Sequence, residues 1–421
     1  MNVLWIVNIL FPEAVRLLTN KGELRSSGGW MLGAAEALLN SSKEISLTVA
    51  TVSPLVQQLT LVQGNQITYY VLPFGKGNAN PNKEYESYWK EIYDQLQPDV
   101  VHIHGTEYSH GLAFLNACPD AKSVISIQGL TSAYYYYYSG LTKFQIIKNL
   151  TLMDFLFGTI FAGKRSFKQR GETIEKPMLR KINHIIGRTS WDKAHAWTIN
   201  PNAQYHFCNE TLRSEFYDGS KWDYDKCEKH TIFLSQAGYP IKGLHQVLRA
   251  MPLILRHYPN TKIKVAGFDI TRNDSLRDKI RLSGYGKIIR QMINHLHLEK
   301  HIEFLGPLNA DEMKQEYINC NVFVIPSSIE NSPNSLGETQ LLGVPCIVSY
   351  VGGVHDMVPT PECGDLYRFE EFEMLAYKVC QMFETSKSFD NTTMRGVASE
   401  RHDPKRNAKT LYGIYTKILK K

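Results

Sequence analysis

The sequence predicts an α/β protein of two doubly wound, Rossmann-like domains facing each other across a cleft, and three observations carry that expectation. Apolar runs of strand length recur with helical patterns between them, and near-continuous hydrophobicity is what parallel sheets covered on both faces demand. The series stops at the polar stretch GSKWDYDKCEKH (219–230) and then restarts. At 421 residues and 43% hydrophobic content, the chain is long enough to bury two cores. The pattern divides it into an N-terminal domain (1–220), a C-terminal domain (230–400) and a closing helix (401–421) that packs back on the N-terminal domain.

The first domain opens with the apolar run Val3–Val7, followed by Gly28, Gly29 and a helical pattern over Trp30–Leu39. Leu47–Val52 and Ile67–Val71 are rich in β-branched and aromatic residues, as strands require. Val100–His104, Val124–Ile127 and His184–Ile186 complete the set. The second domain repeats the alternation with Thr231–Leu234, Lys262–Ala266, Ile302–Leu305, Val322–Ile325 and Cys346–Val348. Doubly wound sheets bind ligands beyond the carboxyl ends of their strands. Those ends carry His104 and Gly105, Gln128 and Gly129, Arg188, Lys242 and Gly243, and Gly352 and Gly353.

Several classes are excluded. The start MNVLWIVNILFPEAVR lacks the basic flank and cleavage site of a signal peptide and is too short an apolar run to span a bilayer, so a cytoplasmic protein is expected. Seven scattered cysteines without a CxxC pair suggest reduced thiols and no zinc site. His102 and His104 share a strand face, but no further ligand spacing completes a metal site. Asp223 and Asp225 form a D-x-D pattern without a preceding apolar strand; no metal is expected. Gly284 and Gly286 lack the third glycine and the context of a dehydrogenase fingerprint. The basic residues form no patch beside base-stacking aromatics, which argues against nucleic acid.

The most informative stretch is SSIENSPNSLGETQLLGVP (327–345), where Glu330 and Glu338 bracket Asn, Ser, Pro and Gly. Asn334 or Ser335 can cap a helix that begins near Leu336, with Glu338 in its first turn and Gly343 ending it. The free N–H groups of such a start bind an anion, and the two carboxylates can each accept from a pair of hydroxyls. A sugar at one side, phosphates in the middle and a ribose at the other would suit that arrangement.

Glu330-x7-Glu338, followed by GVP at 343–345 and VGG at 351–353, resembles the donor site of retaining GT-B glycosyltransferases of family 4, of the bacterial cell-surface polysaccharide type. SSGGWMLGAAEALL resembles the family's N-terminal glycine loop, DVVHIH (99–104) its first-domain strand, and YPIKG (239–243) its donor-phosphate segment, so the likeness covers almost the whole chain. It implies a hexosyltransferase that transfers sugar from a nucleotide-diphosphate sugar to a glycan or lipid-linked hydroxyl acceptor, with retention and without metal or cofactor. Glu330, His104 and Lys242 would be catalytic. Gly28, Gly29, Arg188, Lys242, Asn334, Ser335, Leu336 and Glu338 would bind the donor, and Gln128, Tyr134 and Tyr135 the acceptor. Relatives carry an arginine about six residues before the lysine; here LSQA (234–237) stands there, and Arg188 is expected to supply the second cation. A sugar-nucleotide epimerase of similar fold, or a noncatalytic nucleotide-sugar-binding protein, remains the alternative. Two plainer readings stand beside these: Tyr134–Tyr138 as a partly buried strand edge, and Arg188 as a surface partner of Asp192.

Charge adds one expectation. Residues 141–181 hold nine basic and three acidic side chains, 9 − 3 = +6, equal to the net charge of the whole chain. Ile146, Ile147, Leu150, Met153, Phe157, Ile160 and Phe161 fall on one side at helical spacing. Such a helix would rest on an anionic membrane at the inner leaflet, the alternative being a helix packed on the N-terminal domain.

Overall fold

The computed structural model describes residues 1–19, 29–74 and 83–420, and these contain two separate sheets. In the first, β1 (Asn2–Ile6), β2 (Ser46–Ser53), β3 (Thr60–Gln63), β4 (Ile67–Pro73), β5 (Val100–His104), β6 (Ser123–Ser126), β7 (His184–Gly187) and β8 (Gln204–Phe207) lie in the order β3-β4-β2-β1-β5-β6-β7-β8. All neighbours are parallel except β3 with β4. The strand order reverses between β1 and β5, which makes the crevice beyond those two ends the expected ligand position.

β1 shows why its residues were readable as a fully buried strand. Val3, Trp5 and Val7 face one core with Met31, Ala35 and Leu38, while Leu4 and Ile6 face the other with Trp89 and Phe114. Both faces are covered, so alternation of polar and apolar residues is lost. The helix Pro404–Leu419 joins the first core through Leu411, Ile414 and Ile418. The Trp5 indole N–H donates to the Tyr415 hydroxyl at 2.9 Å.

The second sheet comprises β9 (Glu228–Leu234), β10 (Lys262–Ala266), β11 (Ile302–Gly306), β12 (Cys320–Ile325), β13 (Cys346–Ser349) and β14 (Asp365–Tyr367). Its order is β11-β10-β9-β12-β13-β14, parallel throughout, with the reversal between β9 and β12. The helix Leu244–His257 covers it by burying Leu244, Val247, Leu248, Met251 and Ile254, one apolar stripe at helical spacing.

The residues divide into two units: 1–133, 167–213 and 402–421 in one, and 134–166 and 214–401 in the other. Residues 134–166 therefore group with the second sheet although they precede all of it in sequence. They do not form one helix with one apolar face. Capping boxes at Thr142 with Gln145 and at Thr151 with Asp154 restart the backbone, giving separate helices Lys143–Lys148, Leu152–Phe157 and Ile160–Arg170. Among the described residues no helix is long and apolar enough to cross a membrane.

Candidate active site

The two strands flanking the reversal of the second sheet deliver the central pair. β9 leads into a 3₁₀ turn, Pro240–Lys242, and β12 into Ser327 and Glu330. There the Lys242 Nζ lies 2.6 Å from Glu330 Oε1, and the Ser327 hydroxyl donates to the same oxygen at 2.7 Å. Burial disfavours the Lys242 ammonium, but the Glu330 carboxylate, joined by Tyr239, outweighs it and holds the lysine above its ordinary pKa. The cation is thus kept charged in a site where it would otherwise be costly.

Glycine permits this convergence. Gly243 has φ +70°, and a Cβ there would meet the Pro326 carbonyl oxygen at 1.7 Å; Gly352 has φ +53°, and its Cβ would meet the Glu330 carbonyl at 1.9 Å. Backbone bonds tie the loops together: Ser328 N donates to Ile241 O at 2.8 Å, and Gly353 N to Glu330 O at 3.0 Å. The Ser349 hydroxyl donates to Ser327 O at 2.5 Å. The loops after β9, β12 and β13 are one assembly around Glu330, which accounts for both KG and VGG.

The helix between the two glutamates begins earlier than its spacing suggested. It spans Asn334–Leu342, with Pro333 at the N-cap and no side-chain cap, so neither Asn334 nor Ser335 caps it. Glu338 consequently sits in the second turn, 4% exposed, rather than in the first. Asn334 and Ser335 remain partly exposed while Leu336 onward is buried. Of the amides at this start, that of Leu336 already donates to Pro333 O at 3.0 Å, while those of Asn334 and Ser335 stand at the positive end of the dipole.

The corresponding position of the first sheet is different in kind. His104 ends β5, is 5% exposed, and lies against Trp5, with ring centroids 4.4 Å apart. Neither of its ring nitrogens has a hydrogen-bond partner among the described residues. Burial, and secondly the Arg188 charge, lowers its pKa to about 3, so the ring is neutral at physiological pH. It borders a cavity of about 50 Å³ together with Trp30, Arg188, Glu210 and Asn407. His102 is the structural member of the pair, bonded to Tyr415 Oη and Ser126 Oγ at 2.6 Å each.

Arg188 is buried rather than a surface residue. Its guanidinium forms a buried ion pair with Glu210 and donates to Ile127 O at 2.7 Å and Gln128 O at 3.1 Å, while Asp192 accepts from its backbone N–H at 3.0 Å. It fixes the end of β6, where Gln128 is half-buried. Gly29 opens the helix Gly29–Ser41, and a Cβ there would press on the Arg213 side chain at 3.1 Å; Gly28 lies outside the described residues. Tyr134 and Tyr135 are helical, not a strand edge. The Tyr137 carbonyl accepts from the Ser328 hydroxyl at 2.5 Å, placing the tyrosine run beside the Glu330 loop.

Sequence reasoning missed three carboxylates. Glu210 signalled nothing without its partner. Glu175, fully buried, accepts from Thr106 Oγ1, from the backbone N–H of Thr131 and Ser132, and from both of their hydroxyls. Burial pushes its pKa up to about 7, against the pull of those bonds. It lies in a π-helical turn, Gly171–Glu175, which no spacing rule announces. Glu107, likewise raised by burial, accepts from Gly129 N at 3.1 Å. Ser327, by contrast, could have been found: S-x-x-E at 327–330 is the spacing at which a hydroxyl reaches a following carboxylate. Among the described residues no group of three or more His, Cys, Asp or Glu is placed to hold a metal ion.

Comparison with known proteins bears on this assembly. Residues 220–409 match the family model of glycosyl transferases group 1. An uncharacterized glycosyltransferase of Methanocaldococcus jannaschii is 30% identical over 131 residues, 31% of this chain and 30% of that protein. A capsular polysaccharide biosynthesis glycosyltransferase, CapM, of Staphylococcus aureus is 29% identical over 139 residues, 33% of this chain and 32% of that protein. The match spans about a third of the length of these relatives. Across whole chains, sucrose-phosphate synthase of Thermosynechococcus elongatus superposes with TM-score 0.70 at 15% identity, covering 99% of this chain and 98% of that one. Anabaena HepE in complex with UDP and glucose gives 0.66 at 13% identity, covering 99% and 100%. At such identities the likeness is one of fold, the two-domain GT-B architecture.

Proposed function

We propose, from the match of residues 220–409 to glycosyl transferases group 1, that this protein transfers a sugar from a nucleotide-diphosphate sugar to a hydroxyl acceptor, with retention at the anomeric carbon and without a metal. The observation that carries the reading is the Lys242–Glu330 pair at the reversal of the second sheet, beside an uncapped helix start. A diphosphate needs a cation and fixed N–H donors, and more of both as the leaving group gains charge. Lys242 and the amides of Asn334 and Ser335 are assigned to it; Leu336, expected to join them, has its amide engaged by Pro333 O.

In the resting pair Glu330 neutralises Lys242. An arriving diphosphate competes for the ammonium and frees the carboxylate, still held by Ser327, to accept from sugar hydroxyls. Glu338, one turn in, is assigned to the ribose. His104 is assigned to the donor sugar, since a neutral ring with two unsatisfied nitrogens can both donate and accept. Arg188 serves the site at one remove, by fixing Gln128, which with Tyr134 and Tyr135 is assigned to the acceptor. CapM's place in capsular polysaccharide biosynthesis and the UDP and UDP-glucose complexes of HepE favour a UDP-sugar and a polysaccharide or glycolipid product.

The test is to incubate the protein with UDP-, GDP-, ADP- and dTDP-sugars, with and without saccharide acceptors, and to follow nucleotide release and the anomeric coupling constant by NMR. Acceptor-dependent release with retained configuration is expected. Inversion would refute retention, and sugar isomerisation on donor alone would make the protein an epimerase.

A further inference from the structure

Residues 144–157 present a density of exposed apolar side chains that the transfer reaction does not use. Phe144, Ile147, Leu152, Phe155, Leu156 and Phe157 are 54–80% exposed. They are not loose. The opposite side of the same segment is anchored by buried Ile146, Asn149 and Asp154, and a Cβ on Gly284 would meet the Asp154 carboxylate at 2.6 Å. The short helices are therefore seated on the helix Gly284–His295 with their apolar side turned out.

A second element repeats the pattern. The helix Leu276–Arg281, which packs beside Leu152–Phe157, exposes Leu276 at 79% and Ile280 at 50% between Arg277, Lys279 and Arg281. Its one acid, Asp278, caps its own start at Ser275. Within residues 134–166 there are four bases (Lys143, Lys148, Lys164, Arg165) and one acid, Asp154, which is buried. The surface of both elements is thus apolar residues interleaved with cations.

We propose that the face formed by residues 143–157 and 276–281 docks on an anionic lipid surface, its phenylalanines and leucines entering the headgroup layer and its lysines and arginines meeting lipid phosphates. A protein partner would be expected to match apolar area with apolar area. Flanking cations at this density match a negatively charged layer instead. The inference is independent of the transfer reaction, since neither element contains a residue assigned to donor or acceptor.

The experiment is sedimentation of the full chain with phosphatidylcholine vesicles, alone or with 30% phosphatidylglycerol as the probe, at low and high salt. Binding to the anionic vesicles alone is expected, lost at high salt. Phe155→Ser with Phe157→Ser should abolish it, and Lys143→Glu with Lys148→Glu should weaken it at least tenfold, given about fivefold per charge at a membrane surface. Leu276→Ser with Ile280→Ser should weaken it through the second element. Far-UV circular dichroism and the transfer assay check that each variant is folded. No binding by the wild type, or equal binding by all variants, overturns the proposal. So does a wild-type dimer in analytical ultracentrifugation that Phe155→Ser with Phe157→Ser dissolves, which would make the occupant a second copy.

Discussion

The two strand-order reversals of this molecule share a topology and differ in electrostatics. At the second sheet, Lys242 and Glu330 stand paired, with Ser327 and a helix start without a side-chain cap around them. At the first, His104 is enclosed by indole and imidazole rings, neutral and without hydrogen-bond partners among the described residues. Topology places a site; local charge decides what it can hold. A resting ion pair prepares one crevice for a charged group, because the cation survives burial only while a carboxylate or an incoming phosphate balances it. A desolvated neutral ring suits the other to an uncharged, hydroxyl-bearing group.

The largest effect should come from breaking the charged side. Lys242→Ala is expected to lower turnover about a hundredfold or more, the scale for losing one charge-stabilising donor, with Lys242→Arg restoring only part of it. Steady-state kinetics checks both. Next, Glu330→Gln should lower turnover at least tenfold while the free nucleoside diphosphate binds as tightly or more tightly, because Lys242 is no longer neutralised; calorimetric titration reads this. Weaker diphosphate binding would mean that Glu330 and the phosphate do not compete for one cation.

A third prediction concerns the buried carboxylate of the first unit. Glu175 has its pKa raised to about 7 from an ordinary 4.5. The folded state therefore holds a proton there that the unfolded chain has lost. Its contribution is fully present below pH 4.5 and is lost as pH rises through 7, by at most about 1.4 kcal/mol per pH unit. Denaturant unfolding of Glu175→Gln against wild type should show the slope in the wild type only. His104 has the opposite sign: with its folded pKa lowered, stability falls as pH drops below 6.5 toward 3. The smallest effect follows, that its imidazole resonances do not titrate between pH 5 and 8.

The sheets were legible because central parallel strands are covered on both faces and read as unbroken apolar runs. β3, β8 and β14 were not. β3 is an antiparallel edge with alternating exposure, β8 an edge ending in exposed Phe207, and β14 only three residues long. At the site, Lys242, Glu330 and the glycines beside them were readable because each must follow a strand and the left-handed turns need glycine. The Arg188–Glu210 pair was hidden by its separation in sequence. The segment 141–161 misled for a local reason: apolar residues at helical spacing outweighed two T-x-x-Q/D capping boxes that divide it. What remained after that division was a better clue than the stripe, namely apolar residues with no core to enter.

The most direct test of the central claim is the melting temperature of wild type and Lys242→Ala across a panel of nucleotide sugars. A donor that binds only the folded state stabilises it by RT ln(1 + [L]/Kd). The account predicts that at least one nucleotide sugar raises the wild-type Tm and that the rise disappears in Lys242→Ala. An equal rise in both proteins, or none in the wild type with any nucleotide sugar, would contradict it.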